Sequence, residues 1–277
     1  DFDIDENDVL VFLHIQKTGG TFFGRALVKN LDVDPPCVCQ RKVKRCDCLT
    51  DRKKLWLFSR YSTGWKCGLH ADWTELQNCV DQTLDQMEGS HRKRRLHYIT
   101  YLRDPINRYI SEWKHVVRGA TWSGADLKCN GKPATLEEVP FCYEDSTWEG
   151  VSLDEFLGCP HNLANNRQTR MLADLRLVNC YNKTGMSQEK RDSIMLESAK
   201  HNLKETTFFG ITDYQNYSQA LFEKTFQLSF LEDFEQKNRT HAEKVDYSKY
   251  TERLKENNHL DLELFQFAKK LFFKRLK

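Results

Sequence analysis

The apolar residues of this chain alternate between short runs rich in β-branched and aromatic side chains and longer stretches with helical spacing. Residues 8–15 form the first run and predict a buried strand. Residues 22–27 place apolar side chains every three or four positions and predict a helix. The residues between them, 16–21, include two glycines and predict a tight loop that leads from the strand into the helix.

The same arrangement returns twice further along the chain. Residues 96–102 predict a second buried strand, and Arg103-Asp104-Pro105 ends it, because proline is favoured at the first position of a helix. Residues 206–212 predict a third strand, followed by an amphipathic helix at 214–228. Strands that alternate with helices indicate an α/β fold in which a mainly parallel central sheet is flanked by helices.

The rest of the chain predicts further helices and two irregular segments. Residues 118–140 are rich in glycine, proline and polar side chains, which is typical of a loop that borders a cleft. Residues 35–54 predict a loop held by disulfides. We expect residues 1–277 to form one domain, because this length can bury a core without help from a metal. The additional helices are predicted at 73–87, 153–157, 166–175, 187–202 and 250–276.

Ten cysteines and three Asn-x-Ser/Thr acceptors indicate the compartment. The acceptors are Asn182, Asn216 and Asn238, and both signals together fit an oxidising, glycosylating lumen better than a cytosol. The sequence starts at Asp1 without a methionine, a basic segment or an apolar segment. We therefore expect a fragment from which a targeting segment has been removed.

The spacing of the cysteines allows two interpretations. Cys37-x-Cys39 and Cys46-x-Cys48 could hold zinc, but zinc pairs more often use C-x₂₋₄-C spacing, and no adjacent histidine pair completes a cluster. We therefore favour disulfides and expect no metal. Connectivity cannot be deduced from sequence alone. Plausible local pairs are Cys67 with Cys79, Cys129 with Cys142, and Cys159 with Cys180.

The positive residues are clustered, although the net charge is only +2. Clusters at 41–45, 52–54, 91–95 and 269–277 could attract a polyanion, but solvated loops and helix faces carry such runs as well. A non-enzymatic heparin-binding module is therefore one function that the charge pattern allows.

The loop after the first strand has the groups that bind a phosphate. Backbone N–H groups at the start of the following helix favour an anion. Lys17 adds a positive charge, and Thr18 and Thr21 add hydroxyl donors. In an ATP-binding P-loop the lysine follows the glycines, whereas Lys17 precedes Gly19 and Gly20, so a P-loop kinase or NTPase is the weaker alternative. Paired glycines alone also fit an ordinary tight turn.

His14-Ile15-Gln16-Lys17-Thr18-Gly19-Gly20-Thr21 resembles the 5′-phosphosulfate-binding loop of sulfotransferases, whose donor is 3′-phosphoadenosine 5′-phosphosulfate (PAPS). In these enzymes an arginine at a strand end and a serine eight residues later bind the 3′-phosphate, and Arg103 and Ser111 reproduce that spacing. Arg103-Asp104 alone would equally suit a local ion pair. The chain resembles the heparan sulfate 6-O-sulfotransferase family through both motifs and through residues 65–73, 101–117, 165–170 and 209–212.

The resemblance implies PAPS as the donor, a P-loop-like sulfotransferase fold, and transfer of a sulfuryl group to the 6-hydroxyl of glucosamine in heparan sulfate without a metal. His70 matches the family segment that carries the catalytic base, and an imidazole titrates close to neutral pH. The alternatives are a structural histidine beside Asp72 and Trp73, or His14 as the base. Lys17 is the implied catalytic cation at the leaving phosphate. The implied donor-binding residues are Lys17, Thr18, Gly19, Gly20, Thr21, Arg103, Ser111 and Thr169.

The implied acceptor is a sulfated, carboxylated glycan, so cationic side chains and an aromatic ring are expected in its cleft. The resemblance also implies the Golgi lumen, a type II membrane protein whose N-terminal anchor lies outside residues 1–277, and no nucleic-acid partner. The acceptor-binding candidates are His14, Gln16, Arg118, Trp122, Arg167 and Arg170.

Overall fold

The structure, a computed structural model, describes residues 2–4, 6–121, 125, 127–234 and 246–277. Two of the candidates, Trp122 and Asn238, lie outside the described residues. The strands are β1 (Asp8–Leu13), β2 (Leu31–Asp32), β3 (Val38–Cys39), β4 (Cys46–Asp47), β5 (Leu57–Phe58), β6 (Arg95–Leu102), β7 (Lys128–Cys129), β8 (Lys132–Pro133), β9 (Phe208–Ile211) and β10 (Ser229–Phe230). The helices are α1 (Gly20–Lys29), α2 (Trp73–Glu88), α3 (Pro105–Val116), α4 (Leu153–Gly158), α5 (Arg167–Leu172), α6 (Gln188–Glu205), α7 (Gln215–Phe226), α8 (Thr251–Asn257) and α9 (His259–Leu276).

Four strands form a parallel sheet in the order β5-β1-β6-β9. All six residues of β1 are buried. A strand that is buried on both faces needs apolar side chains in both directions, which explains the continuous apolar run in its sequence. The predicted α/β fold with a mainly parallel central sheet is confirmed.

The carboxyl ends of the strands meet at one edge of this sheet. β1 pairs with β6 up to Leu13 and Thr100, and β6 pairs with β9 up to Leu102 and Ile211. The segments that follow β1, β6 and β9 therefore start close together. We call this side of the sheet the carboxyl edge.

Two helices near this edge begin with an aspartate cap. Asp72 accepts a hydrogen bond of 3.0 Å from an amide in the first turn of α2, and Asp104 accepts one of 2.9 Å from the first turn of α3. Pro105 is the first residue of α3, as the sequence predicts. The caps fix these helix starts directly after the candidate residues His70 and Arg103.

Several elements differ from the sequence prediction. The two-residue strands, β5 among them, were not predicted, because so short a strand gives no detectable pattern. The single helix predicted at 250–276 was wrong, since α8 and α9 are separate helices that meet at Asn258. This residue is fully buried and non-helical, with φ −125°, and its side-chain amide donates to the Leu254 carbonyl at 2.8 Å. An asparagine amide competes in this way with the helical backbone for carbonyl acceptors.

All ten cysteines form disulfide bonds, so the prediction of disulfides rather than a zinc site is confirmed. The bonds are Cys37–Cys48, Cys39–Cys46, Cys67–Cys79, Cys129–Cys180 and Cys142–Cys159. The predicted pair of Cys67 and Cys79 is confirmed. The predicted partners of Cys129 and Cys159 were wrong, because the fold brings Cys129 to a cysteine 51 residues away and leaves Cys142 next to Cys159.

Two kinds of feature are absent from the part of the chain that the structure describes. No group of three or more histidine, cysteine, aspartate or glutamate side chains is placed there to hold a metal ion. None of the described helices combines the length and the apolar composition that crossing a bilayer requires.

Candidate functional site

The loop between β1 and α1 is tightly held. Lys17 and Gly19 both have positive φ, at 66° and 83°. The Thr18 hydroxyl donates to the Ile15 carbonyl at 3.0 Å. The first amides of α1 have no acceptor within the helix, and the helix dipole favours an anion in front of them. The backbone of this loop therefore has the form of an anion site.

Gly20 is needed for a close approach. A Cβ at this position would lie 2.3 Å from Cδ2 of His14, so any side chain would displace the histidine ring. The start of α1 thus packs directly against His14, and only glycine fits there.

The two anion-binding motifs are in direct contact. The Arg103 guanidinium donates from Nη1 to the Lys17 carbonyl at 3.2 Å. The Thr212 hydroxyl lies within hydrogen-bonding distance of the Thr18 and Leu102 carbonyls, so it ties the loops after β1 and β6 to the end of β9. The carboxyl edge therefore joins the segments that the sequence treats as separate motifs.

Positive charge dominates around Lys17. Burial lowers its pKa; the Glu112 carboxylate opposes this effect, and the charges of Arg118 and Arg103 add to it. Burial also lowers the pKa of His115, with Lys17 and Arg118 as further causes. A cationic cluster whose own charges repel one another is stabilised by a polyvalent anion.

Arg103 shows the same behaviour. Burial lowers its pKa, partly offset by Asp213. Ser111 lies on α3, partly buried, in the second turn after the Asp104 cap. Both residues of the predicted 3′-phosphate motif thus lie on the β6–α3 unit next to the Lys17 loop.

His70 is fixed in one orientation by the backbone. Its Nδ1 lies 2.8 Å from the His14 carbonyl oxygen, which can only accept, so Nδ1 carries a proton and the neutral ring has its lone pair on Nε2. Burial lowers the pKa of His70 to about 4; the hydrogen bond to His14 opposes this shift, and the charges of Arg167 and Arg60 add to it. The imidazole is therefore neutral at physiological pH, as a general base must be.

His14 has a different environment. Its ring stacks against Phe12 and Trp65, with centroid distances of 5.3 and 5.9 Å, and it lies 4.7 Å from the His70 ring. Burial holds the pKa of His14 well below its usual value. The side chain of His14 is packed inside the site, and its carbonyl orients His70.

A small pocket brings together several acceptor candidates. His70, Gln16, Arg167 and Arg170 all line it. Arg170 is partly buried, and its guanidinium donates to the Leu163 carbonyl at 3.4 Å. The structure thus places three acceptor candidates beside the candidate base.

Arg167 belongs to a buried ion network. It donates from Nε to Glu112 at 2.9 Å, and Arg108 donates to the same carboxylate. Arg108 also donates to the Ala164 carbonyl at 2.7 Å. Desolvation would raise the pKa of Glu112, but the charges of Arg167 and Arg108 outweigh it and lower this pKa to about 2. Glu112 thus compensates part of the charge that Arg167 brings to the pocket.

The other candidates are distributed around these groups. Arg118 is exposed beyond the end of α3 and acts on Lys17 through its charge. Thr169 is fully buried, and both its amide and its hydroxyl donate to Asp261 of α9, at 2.7 and 2.8 Å. Its contact with the nucleotide stays a prediction.

Two of the glycosylation candidates lie among the residues that the structure describes. Asn182 is partly buried, and its side-chain oxygen accepts hydrogen bonds from the amide and hydroxyl of Thr184. Asn216 is exposed in the first turn of α7.

Sequence reasoning missed two residues. The Arg60 guanidinium lies 5.2 Å from the Trp65 ring and 5.3 Å from the Tyr61 ring, within cation–π distance. Gln168 makes a paired contact with Arg103, accepting from its amide and donating to its carbonyl, both at 3.0 Å. Residues 59–65 show no periodicity that would reveal Arg60, and Gln168 could only have been suggested by its position between two candidates.

Comparison with known proteins supports the resemblance seen in the motifs. The sequence model of a protein family described as "Sulfotransferase family" matches residues 1–268 of this chain. Heparan-sulfate 6-O-sulfotransferase 2 of Danio rerio is 54% identical over an alignment of 281 positions that covers 99% of this chain and 60% of that protein. Heparan-sulfate 6-O-sulfotransferase 1-B of Danio rerio is 53% identical over an alignment of 278 positions that covers 99% of this chain and 68% of the relative.

The human relative is matched over a smaller share of its length. Heparan-sulfate 6-O-sulfotransferase 2 of Homo sapiens is 52% identical over an alignment of 279 positions that covers 99% of this chain and 46% of that protein. This chain thus spans between 46% and 68% of the length of these three relatives. Identity above one half over nearly all of its residues shows that the chain belongs to the sulfotransferase family and, within it, to the heparan-sulfate 6-O-sulfotransferases.

Proposed function

We propose that this chain transfers a sulfuryl group from PAPS to the 6-hydroxyl of glucosamine in heparan sulfate. The observation that carries the proposal is the hydrogen bond from Arg103 to the Lys17 carbonyl. It joins two predicted anion-binding motifs into one cationic edge, beside a neutral histidine of fixed tautomer. Such an edge suits a nucleotide with phosphates at both ends of its ribose.

The donor is assigned to the carboxyl edge. The loop at 17–21 would hold the 5′-phosphosulfate through backbone amides, hydroxyls and one ammonium. Its residues are Lys17, Thr18, Gly19, Gly20 and Thr21. Arg103 and Ser111 would hold the 3′-phosphate, and Thr169 would lie on the adenosine side. The positive charge around Lys17, which Glu112 offsets only in part, supports this assignment.

The chemistry assigned to the chain is base catalysis with charge stabilisation. His70 would take the acceptor hydroxyl proton on Nε2 while the hydroxyl oxygen forms its bond to sulfur. The bond from sulfur to the 5′-phosphate oxygen breaks, its electron pair stays on the phosphate, and Lys17 stabilises that charge. His70 then releases the proton to solvent.

The acceptor is assigned to the surroundings of His70. Gln16, Arg167 and Arg170 line the small pocket beside this ring, and the His14 ring packs against it. Arg118 and Trp122 would extend the contact along the glycan. The five disulfides fit an oxidising compartment, and we place the protein in the Golgi lumen as a type II membrane protein.

A transfer assay tests this function directly. With radiolabelled donor and desulfated heparan sulfate, we expect label on the glucosamine 6-position in disaccharide analysis. Lys17→Ala should lower kcat by about 10²- to 10³-fold, because one stabilising charge at the leaving oxygen is lost. Lys29→Ala, an exposed lysine at the end of α1, is the matched control and should keep full activity.

Two results would overturn the proposal: label at another position, or full activity of a folded Lys17→Ala variant. Calorimetry with adenosine 3′,5′-bisphosphate separates the alternatives. A sulfotransferase binds it without magnesium, a P-loop kinase needs magnesium and prefers ATP, and a heparin-binding module binds neither nucleotide.

A further inference from the structure

A short basic hairpin projects near the site. We use the name basic hairpin for β3, β4 and the tip at 40–45 that connects them. Its strands pair in antiparallel register, with Cys39 opposite Cys46. Two disulfides join its two sides, Cys37–Cys48 and Cys39–Cys46.

The tip of the basic hairpin is a concentrated positive charge. All of its residues from Gln40 to Arg45 are exposed, and Arg41, Lys42, Lys44 and Arg45 are cationic. Across the described ranges, the ion pairs found involve none of these four side chains. Their charge is therefore available to a partner.

The disulfides anchor an exposed tip to the core. Cys46 and Cys48 are buried in the core, whereas Val38 and Val43 are 61% and 51% exposed. Two crosslinks that close 11 and 7 residues restrict a segment that would otherwise be flexible. Cations that are ordered in advance lose less entropy when they bind a polyanion.

The basic hairpin is attached to the segment that carries His70. The Cys46 amide donates to the Tyr61 carbonyl at 2.7 Å. Arg45 packs over Gly64, where a Cβ would lie 3.3 Å from its Cδ. The next residue, Trp65, has its ring centroid 4.7 Å from that of His70.

Arg60 continues the positive charge from the hairpin towards the pocket. It lies over Trp65 and Tyr61. Burial is the main cause of the lowered pKa of His70, and the charge of Arg60 lowers this pKa further. The four tip cations, Arg60 and the His70 pocket are thus connected through a single segment, residues 59–70.

We propose that the basic hairpin is a second contact for the acceptor polyanion, which it binds through sulfate and carboxylate groups on sugars distant from the reacting one. This inference rests on the proposed function. A glycan is favoured over a nucleic acid or an anionic membrane, because the hairpin is attached to the segment that carries His70, beside which the polyanionic acceptor is proposed to bind. The hairpin would therefore act on long chains and leave short ones unaffected.

A charge-removal variant tests the surface. Arg41→Ser, Lys42→Ser, Lys44→Ser and Arg45→Ser together should raise KM for long heparan sulfate about tenfold, the sum expected from four exposed ion pairs. kcat, KM for the donor and KM for a tetrasaccharide should stay at wild-type values. Retention on immobilised heparin without donor should fall to a lower salt concentration.

The matched control removes four charges elsewhere. Lys29→Ser, Lys183→Ser, Lys190→Ser and Lys204→Ser change exposed residues that lie outside the four basic clusters. Lys29 is the last residue of α1, and Lys190 and Lys204 lie near the two ends of α6. This variant should keep the wild-type KM for both acceptors.

Three outcomes would overturn the inference: an unchanged KM for long chains, an equal loss in the control variant, or an equal loss with the tetrasaccharide. Loss of binding to phosphatidylserine vesicles or to single-stranded DNA, with heparin retention intact, would assign the hairpin to a membrane or a nucleic acid instead. If the wild-type protein transfers no sulfate but the hairpin variant loses heparin retention, the proposed function fails while the glycan surface stands.

Discussion

The proposed donor side and the proposed acceptor side of the site are built in different ways. The donor side consists of residues 17–21 with Arg103 and Ser111, and it comes from two neighbouring strands and the helices that follow them. The acceptor side consists of His70, Arg60, Arg167 and Arg170, which come from two segments about a hundred residues apart in the chain. The first side is mainly backbone geometry, and the second is mainly side-chain packing.

The two sides also treat charge differently. Around Lys17, several cations act against one carboxylate, so the donor side keeps an excess of positive charge. On the acceptor side, Glu112 compensates part of the charge of Arg167 in a buried network shared with Arg108. The remaining positive charge of the donor side favours an anionic ligand, whereas the Glu112 carboxylate holds Arg167 in place before any ligand binds.

The largest expected effect comes from removing the base on the acceptor side. His70→Ala should lower kcat by about 10²- to 10⁴-fold, because proton transfer from the acceptor hydroxyl loses its positioned base. Donor affinity by calorimetry should change little, since the donor side does not depend on this ring. His201→Ala, an exposed histidine of α6, serves as the control and should keep wild-type kcat.

Partial rescue of His70→Ala by added imidazole would support the role of the ring as a base. Wild-type kcat in a folded His70→Ala protein would contradict it and favour His14, whose carbonyl now orients His70. Equal loss of donor affinity and kcat would show that the two sides are not separable.

The placement of the donor-side residues was largely predictable because its information is local, while their contacts with the donor stay predictions. A buried strand, a glycine loop and a helix are contiguous in the sequence, and so are Arg103, Pro105 and Ser111. Parallel strands place such loops at one edge by geometry alone. Only the tie through Thr212 and the support from Gln168 required the structure.

The acceptor side was predictable only through family resemblance. Arg60 lies in a segment without periodicity, and the partners of Arg167 lie on another helix. The helix break at Asn258 was not predicted, and the predicted partner of Cys129 was wrong, for the same reason. Each depends on tertiary contacts that no local pattern records.

A smaller effect is expected from the support of Arg103. Gln168 is buried and pairs with both the amide and the carbonyl of Arg103. Gln168→Ala should raise KM for the donor about tenfold, the cost of leaving buried backbone groups unsatisfied next to a ligand-binding arginine. KM for the acceptor and kcat at saturating donor should stay close to wild type.

Gln266→Ala on the exposed face of α9 is the matched control for this change. Gln168→Glu keeps the acceptor for the Arg103 amide and loses the donor to its carbonyl, so it should restore part of the donor affinity. A general loss of stability would instead change donor and acceptor constants together, and that result would remove Gln168 from the donor side.

The smallest expected effect is a shift in one titration, and it links the two sides. In NMR spectra assigned with a His70→Asn variant, the His70 ring should titrate with a midpoint of about 4 in the free protein, because burial disfavours the imidazolium. The neutral base therefore predominates at every pH above that midpoint.

Adenosine 3′,5′-bisphosphate should raise the midpoint, since negative charge near the loop that supports His70 favours the protonated ring. The same coupling requires proton uptake when the bisphosphate binds near this pH. A free-protein midpoint at the ordinary histidine value would contradict the burial of the ring, and a midpoint unaffected by the bisphosphate would show that the donor and acceptor sides are electrostatically independent.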